Sequence, residues 1–210
     1  MIIALDTAST DLSLAIADRD GSPRGEDGWT SDRRQAHETL PRLLSLLRRN
    51  GLDLADASAL AVGLGPGSFT GLRVGLSLAK GLALALDLPL YGLASLPAWL
   101  DAVPDARGAL ARAGAREAYL LIRGEAETHI VDREALPAGV GAQPLVAPAE
   151  LAAAFDLARA VSPFAAAAAI ARAAAARLEA DPAGDDLERL EPTYVRAPRG
   201  TGQVRHAEVT

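Results

Sequence analysis

The feature that most constrains the fold is a unit of three apolar segments and a glycine-rich loop between residues 59 and 93. An apolar strand at 59–64 is followed by a glycine-rich loop, a long helix at 72–86 and a second buried strand at 89–93. A helix that joins two buried strands through short connections packs back onto a sheet in which those strands are parallel. The unit therefore predicts a mixed α/β layer.

The residues before this unit predict antiparallel strands and one helix. Short apolar runs at 2–5 and 12–17 flank a polar link, and a third strand is expected near 25–29. Helical periodicity follows at 36–49, where leucines recur on one side. These elements and the unit that follows them predict a first lobe at 1–103.

A break near residues 103–105 predicts a boundary between two lobes. A smaller second lobe is expected at 104–197, with a last, alanine-rich helix that is able to pack back on the first lobe. The residues at 198–210 are expected to form a flexible tail.

Composition excludes several functions. The chain has 210 residues, no cysteine and a net charge of −6. Without cysteine there is no disulfide, thiolate metal site or cysteine nucleophile. An acidic chain is not expected to bind nucleic acid by itself, because phosphates need a basic surface, and the arginines between 33 and 49 are interpreted as a solvated helix face. Neither a signal peptide nor an uninterrupted membrane span is predicted, so the expected location is the cytoplasm.

The loop at 65–71 has two interpretations that the sequence leaves open. Its glycines and the helix that follows could present free amides to an anion, or they could form a structural turn. The same choice applies to the end of the first strand, where a carboxylate could hold Mg²⁺ beside a phosphate or form an Asx turn. The candidate anion-site residues are Asp6, Thr7, Gly65, Gly67, Ser68, Thr70 and Gly71.

No catalytic residue, metal site or intrinsic cofactor is predicted. His37 starts the first helix, and the other two histidines lie far from it in sequence, so no pair has the spacing of metal ligands. No Gly-x-Ser-x-Gly motif of a hydrolase nucleophile occurs.

The helix at 72–86 is apolar on most of its circumference. One stripe contains Leu72, Leu76, Ala79 and Ala83, and a second contains Val74, Leu78, Leu82 and Ala85. One face can cover the sheet and another can contact the helix at 36–49. Unless the chain itself covers the remainder, a partner protein is needed to cover it.

Four stretches of the sequence resemble the TsaB (YeaZ) family. They are IIALDTASTDLSLAIAD, HETLPRLLSLL, GLGPGSFTGLRVGLSLAKGLALALDLPLYGLASL and EPTYVRAP. The resemblance is strong over roughly the first hundred residues. It implies an actin/Hsp70-like (ASKHA) α/β fold of two ribonuclease-H-like lobes, with the second lobe shortened.

The resemblance also implies a role without catalysis in making threonylcarbamoyladenosine in tRNA. The related catalytic subunit TsaD carries two metal-binding histidines whose places fall here on Ser95 and Trp99, neither of which offers a nitrogen ligand. The chain is then expected to be a scaffold that activates TsaD, and threonylcarbamoyl transfer would go to the adenosine beside the anticodon. TsaB-like chains often carry an Asp-Ala-Arg-x-x-Glu-x-Tyr run in the second lobe. Here Glu117 and Tyr119 fit its end, but Arg112 and Gly114 stand in the Asp and Arg places.

The partners implied by the resemblance are TsaD, as a heterodimer, and the ATPase TsaE. Transfer RNA would be bound only through the complex, and the chain alone could form a homodimer on the same face. The sequence leaves open whether a nucleotide sits at the subunit junction. The candidate partner-binding residues are His37, Leu40, Leu44, Leu47, Leu72, Leu76, Ala79, Leu82 and Ala83.

Three rival enzyme classes stand against the scaffold interpretation. A stand-alone actin-like nucleotide hydrolase would use Asp6, Thr7 and the glycine loop. A metallopeptidase, an older label in the wider family, would need metal ligands that the sequence lacks. A sugar-kinase-like protein is disfavoured because the chain leaves little room for its substrate lobe.

Overall fold

Two five-stranded sheets organise the protein. The computed structural model describes residues 1–194, so the tail predicted at 198–210 lies outside the described residues. The first sheet has the order β3-β2-β1-β4-β5 and contains β1 (Ile2–Asp6), β2 (Asp11–Ala17), β3 (Pro23–Thr30), β4 (Ala59–Gly63) and β5 (Leu90–Leu93). The second has the order β10-β9-β6-β7-β8 and contains β6 (Gly108–Arg112), β7 (Glu117–Ile122), β8 (Thr128–Asp132), β9 (Leu145–Val146) and β10 (Ala160–Val161).

The two sheets repeat one topology. In each sheet the first three strands along the chain form an antiparallel meander. The fourth strand then pairs in parallel with the first, and the fifth pairs in parallel with the fourth. The helices are α1 (Gln35–Arg49), α2 (Phe69–Leu86), α3 (Ser95–Ala102), α4 (Ala138–Gly141), α5 (Ala149–Phe155) and α6 (Ala166–Ala180). The helices that connect strands within the second sheet have 4 and 7 residues, against 15 and 18 in the first, so the second lobe is a shortened copy of the first.

The first sheet is covered on both faces. Side chains alternate along a strand, so Ile2 and Ala4 of β1 point to one face while Ile3 and Leu5 point to the other. The first face packs against α6, through side chains that include Ile170. The second face packs against α1 and α2. A helix from the end of the described chain therefore completes the core of the first lobe.

Polar contacts and an apolar cluster join the two lobes. Helices α5 and α6 start without a capping side chain of their own. Instead, Asp11 Oδ2 of β2 accepts a hydrogen bond from the Ala149 amide at 3.2 Å, and Ser13 Oγ accepts one from the Ala167 amide at 3.0 Å. These bonds satisfy amides that the helix starts leave free. Beside them, Leu72, Trp99 and Tyr119 belong to one apolar cluster that fills the space between the lobes.

Candidate functional site: a closed cleft and an exposed helix face

The carboxylate of Asp6, at the end of β1, is buried among hydrogen-bond donors. Trp99 Nε1–H donates to Oδ2 at 2.6 Å, the Ala8 amide donates to Oδ1 at 2.8 Å, and Ser95 Oγ lies 3.3 Å from Oδ1. Burial raises the pKa of the Asp6 carboxyl, and these three bonds oppose the rise. The bond from Ala8 is the Asx-turn contact, so the geometry favours the structural interpretation of Asp6 over a Mg²⁺ ligand.

Ser95 and Trp99, which occupy the places of the two metal-binding histidines of TsaD, hold this carboxylate by hydrogen bonds. Ser95 and Trp99 are fully buried, and Ser95 Oγ also accepts a hydrogen bond from the Gly65 amide at 3.0 Å. The indole nitrogen is a donor with no lone pair for a metal. These residues therefore do not fit a metal ion. Among residues 1–194, no three His, Cys, Asp or Glu side chains lie together in an arrangement that could hold one.

Three glycines spaced four residues apart let the chain of β1–β2 lie directly on the start of α2. A Cβ atom on Gly67 would overlap the carbonyl oxygen of Ala8, and one on Gly71 would overlap the carbonyl oxygen of Thr7. A Cβ atom on Gly75 would overlap Thr7 Oγ1, which donates to the Gly71 carbonyl at 2.8 Å. The glycines thus serve close packing, and this observation favours the structural turn over an open anion site.

The remaining loop residues have separate roles. Ser68 caps α2, because its Oγ accepts a hydrogen bond from the Gly71 amide at 3.2 Å. The Ser68 amide itself donates to Ala8 at 2.7 Å and is not free for an anion. Thr70 does not cap the helix, since α2 begins at Phe69, three residues earlier than predicted. Gly65 has a φ of 90°, which favours glycine at that turn.

The structure divides the predicted partner-binding residues into two groups. Five of them lie in the chain's own core and are at most 6% exposed, so their assignment to a surface is corrected. Four of the five lie on one stripe of α2, which packs inside the chain, whereas the predicted Leu82 lies on the other stripe. These five are Leu47, Leu72, Leu76, Ala79 and Ala83. His37 is exposed, and Leu40, Leu44 and Leu82 are partly exposed.

The exposed apolar surface lies on the outer face of α2 and on the neighbouring side of α1. Leu84 is 72% exposed and Phe69 is 41% exposed, whereas Val74 and Leu78 are partly exposed. Sequence periodicity indicated the stripe that contains Val74 and Leu78, but it gave no signal for Phe69 or Leu84. A groove of about 570 Å³ between the two helices is lined by Ala36, Thr39, Leu40, Phe69, Thr70, Arg73, Val74, Ser77 and Leu78. We call this face, with the groove and Leu84, the docking face.

The charges near the docking face are those of a solvated helix. Arg42 forms an ion pair with Asp27 at 3.0 Å, and Arg34 forms one with Glu38 at 3.5 Å. Within residues 1–194, α2 alone is long and apolar enough to cross a membrane by length and composition, and a third of it is buried. Core helices of water-soluble proteins pass the same test. Packing on the sheet accounts for the apolar residues on one side of α2. It does not account for the apolar residues on the outer side, such as Leu84.

A family model described as "TsaD: tRNA N6-adenosine threonylcarbamoyltransferase" matches residues 30–138, about half of the chain. The chain belongs to this family. The TsaB protein of Escherichia coli, named for tRNA threonylcarbamoyladenosine biosynthesis, is 40% identical over 95 residues. That segment is 45% of this chain and 40% of the relative, so the match spans less than half of either protein. The predicted membership of the TsaB (YeaZ) group within the family is confirmed.

Solved structures support the same fold for this TsaB-group chain. YeaZ from Pseudomonas aeruginosa matches with a TM-score of 0.69 at 22% identity, over 92% of this chain and 99% of that one. An activator of 2-hydroxyisocaproyl-CoA dehydratase from Clostridium difficile, solved with bound ADPNP, matches with a TM-score of 0.53 at 11% identity, over 86% of this chain and 96% of that one. The predicted actin/Hsp70-like α/β fold is confirmed.

Proposed function

We propose that this chain is a non-catalytic subunit of the bacterial machinery that makes threonylcarbamoyladenosine in tRNA. It binds TsaD through the docking face and supports threonylcarbamoyl transfer to the adenosine beside the anticodon. The observation that carries the proposal is the exposed apolar outer face of α2, which the described part of the chain leaves uncovered. Exposed apolar patches of this kind are typical of protein-binding sites.

The family relationship supports TsaD as the occupant of this face. The model that matches residues 30–138 is the model of the transferase, and this range contains both α1 and α2. A TsaD chain therefore carries counterparts of the same two helices. Two related subunits can pair through equivalent surfaces across an approximate twofold axis. Two helices from each subunit then form a four-helix contact with an apolar core.

The closed cleft supports the absence of catalysis. Asp6 is held by Trp99, the glycines of the loop pack against Thr7 and Ala8, and apolar side chains fill the space between the lobes. The chemistry of transfer then belongs to TsaD, and this chain contributes binding surface. We extend the proposal to a cytoplasmic location, to tRNA bound only through the complex and to recruitment of the ATPase TsaE. A homodimer through the docking face is expected when TsaD is absent.

Substitution of Leu84 by Arg is expected to weaken binding to TsaD at least about 10-fold, because a charge would be buried without a partner. The free energy of unfolding should change by less than about 0.5 kcal/mol, since Leu84 is exposed in the free chain. Isothermal titration calorimetry with purified TsaD measures the first effect, and urea unfolding measures the second.

Val161→Arg is the matched control for this test. Val161 is also an exposed large apolar residue, at 44%, but it lies on β10 in the second lobe. We expect this variant to bind TsaD as the parent chain does. Equal affinity of Leu84→Arg and the parent would contradict the assignment of the docking face.

Calorimetry of the purified chain with ATP and Mg²⁺ separates the proposal from the rival nucleotide hydrolase. We expect no heat of binding, because the loop packs closely against Thr7 and Ala8, and the Ser68 amide that could meet a phosphate donates to Ala8 instead. Tight binding with turnover by the chain alone would favour the hydrolase. A nucleotide that binds only when TsaD is also present would instead locate a site at the subunit junction.

A further inference from the structure

After α6 the chain returns along β5, at the edge of the first sheet, and reaches the start of α2. The Asp185 amide donates to the Leu90 carbonyl at 2.9 Å, and the Thr193 amide donates to the Leu64 carbonyl at 2.8 Å. Leu190 packs against the core cluster between the sheet and α2. We call residues 181–194 the return segment. It is tied to the first lobe along its length.

A charged contact fixes the centre of the return segment. Asp185 Oδ1 accepts a hydrogen bond from Arg177 of α6 at 2.6 Å, and Oδ2 accepts one from the Gly92 amide at 2.7 Å. Burial raises the pKa of Asp185, but the bonds from Arg177 and Gly92 outweigh it and leave the pKa below its ordinary value. The carboxylate is therefore charged near neutral pH, where the bonds are strongest.

The end of the segment contacts the docking face through three side chains. The rings of Tyr194 and Phe69 lie 5.5 Å apart, and Arg73 Nε donates to the Tyr194 hydroxyl at 3.3 Å. The Arg73 guanidinium carbon lies 3.8 Å from the centre of the Phe69 ring, a cation–π contact. Each of the three residues touches the other two, so Tyr194 restricts the orientations of both α2 side chains.

Phe69 and Arg73 line the groove of the docking face, whereas Tyr194 belongs to a different part of the chain. Fixing a mobile side chain on binding costs conformational entropy, and a side chain that is already fixed avoids this cost. Aromatic and Arg side chains contribute most of the energy at many protein interfaces. We propose that Tyr194 is a positioning residue, which holds Phe69 and Arg73 in the arrangement that the partner meets. This inference rests on the proposed function, with TsaD as the partner.

The test compares the full chain and its Tyr194 variants in titrations with purified TsaD. Tyr194→Leu removes both the ring and the hydroxyl. It is expected to weaken binding about 10-fold, because Phe69 and Arg73 then lose conformational entropy when the partner binds. Tyr194→Phe keeps the ring contact and should stay within about 3-fold of the parent, because it loses one exposed hydrogen bond. Arg189→Ala is the control on the same segment, since Arg189 is exposed and forms an ion pair with the exposed Asp186 at 3.4 Å. It should bind as the parent does.

A double-mutant cycle separates positioning from a general structural effect. In a Phe69→Ala background Tyr194 has only Arg73 left to hold, so Tyr194→Leu should weaken binding no more than about 3-fold there, against about 10-fold in the parent chain. The inference would be overturned if Tyr194→Leu weakened binding about 10-fold in the Phe69→Ala background too, or if Tyr194→Leu alone left binding unchanged. The docking face would still be tested separately by Leu84→Arg. Failure of the parent chain to bind TsaD would overturn the proposed function and this inference together.

Discussion

Substitution of Gly71 by Ala is expected to lower the free energy of unfolding by about 3 kcal/mol, at the upper end of the range for overpacked cores. The added Cβ would overlap the carbonyl oxygen of Thr7, a backbone atom that a rotamer change cannot move. Relief requires α2 and the β1–β2 turn to separate, which also weakens the bond from Thr7 Oγ1 to the Gly71 carbonyl. Urea unfolding of the purified variant measures the loss.

Gly81→Ala on the same helix is the matched control. A Cβ atom on Gly81 would have no neighbour within 4 Å, so this variant should gain up to about 1 kcal/mol from the higher helix propensity of alanine. Opposite signs for the two variants are the expected result. A stabilised Gly71→Ala variant would mean that the turn does not lie against α2 and that the loop is open to a ligand after all.

Substitution of Trp99 by Phe is expected to lower the free energy of unfolding at pH 7 by about 3 kcal/mol. The indole N–H supplies the shortest of the bonds to Asp6, at 2.6 Å, and phenylalanine has no donor to replace it. A buried carboxylate that loses its partner is costly, with losses of this order when one member of a buried pair is removed. Chemical unfolding at several pH values gives both the loss and its pH dependence.

The pH dependence follows from the raised pKa of the Asp6 carboxyl. The fold favours the protonated form, so this group's contribution to stability is greatest below the ordinary pKa of about 3.9 and falls as the pH rises towards the folded pKa. Removal of the indole raises the pKa of Asp6 in the folded state further, so this contribution to stability continues to decrease up to a higher pH. The difference between Trp99→Phe and the parent should therefore be smallest near pH 4 and largest near pH 7.

Tyr91→Phe provides the comparison for this pH dependence. The Tyr91 hydroxyl donates to the uncharged carbonyl of Asp181 at 2.7 Å, so its loss should cost about 1 kcal/mol at every pH between 4 and 7. A Trp99→Phe deficit that is equally flat would show that the indole stabilises the core by packing alone and that Asp6 does not depend on it.

Local sequence patterns predicted the first lobe closely. The strands expected at 2–5, 12–17 and 59–64 correspond to β1, β2 and β4, and the helix expected at 36–49 corresponds to α1. These elements carry their own periodicity, so one sequence is enough to find them. Strands β9 and β10 have two residues each and were not predicted, because so short a pairing depends on tertiary contacts rather than on propensity.

The site was harder to predict than the fold. Asp6 and Trp99 lie 93 residues apart in sequence, and no local pattern indicates that the indole N–H would donate a hydrogen bond to the carboxylate. The glycines of the loop suggested open amides, but whether the Ser68 amide meets a ligand or the Ala8 carbonyl depends on the position of another turn. Likewise, both stripes of α2 are apolar, and only the placement of the sheet decides that Leu76 is buried while Val74 and Leu78 are partly exposed.

The position of α6 has a consequence for how the chain folds during its synthesis. Ile2 and Ala4 are translated well before Ile170 of α6, which covers them. Until then one face of the first sheet is bare and prone to aggregation, as is usual for cores closed by contacts distant in sequence. Nascent chains of this protein are therefore expected to depend on chaperones until α6 has been translated.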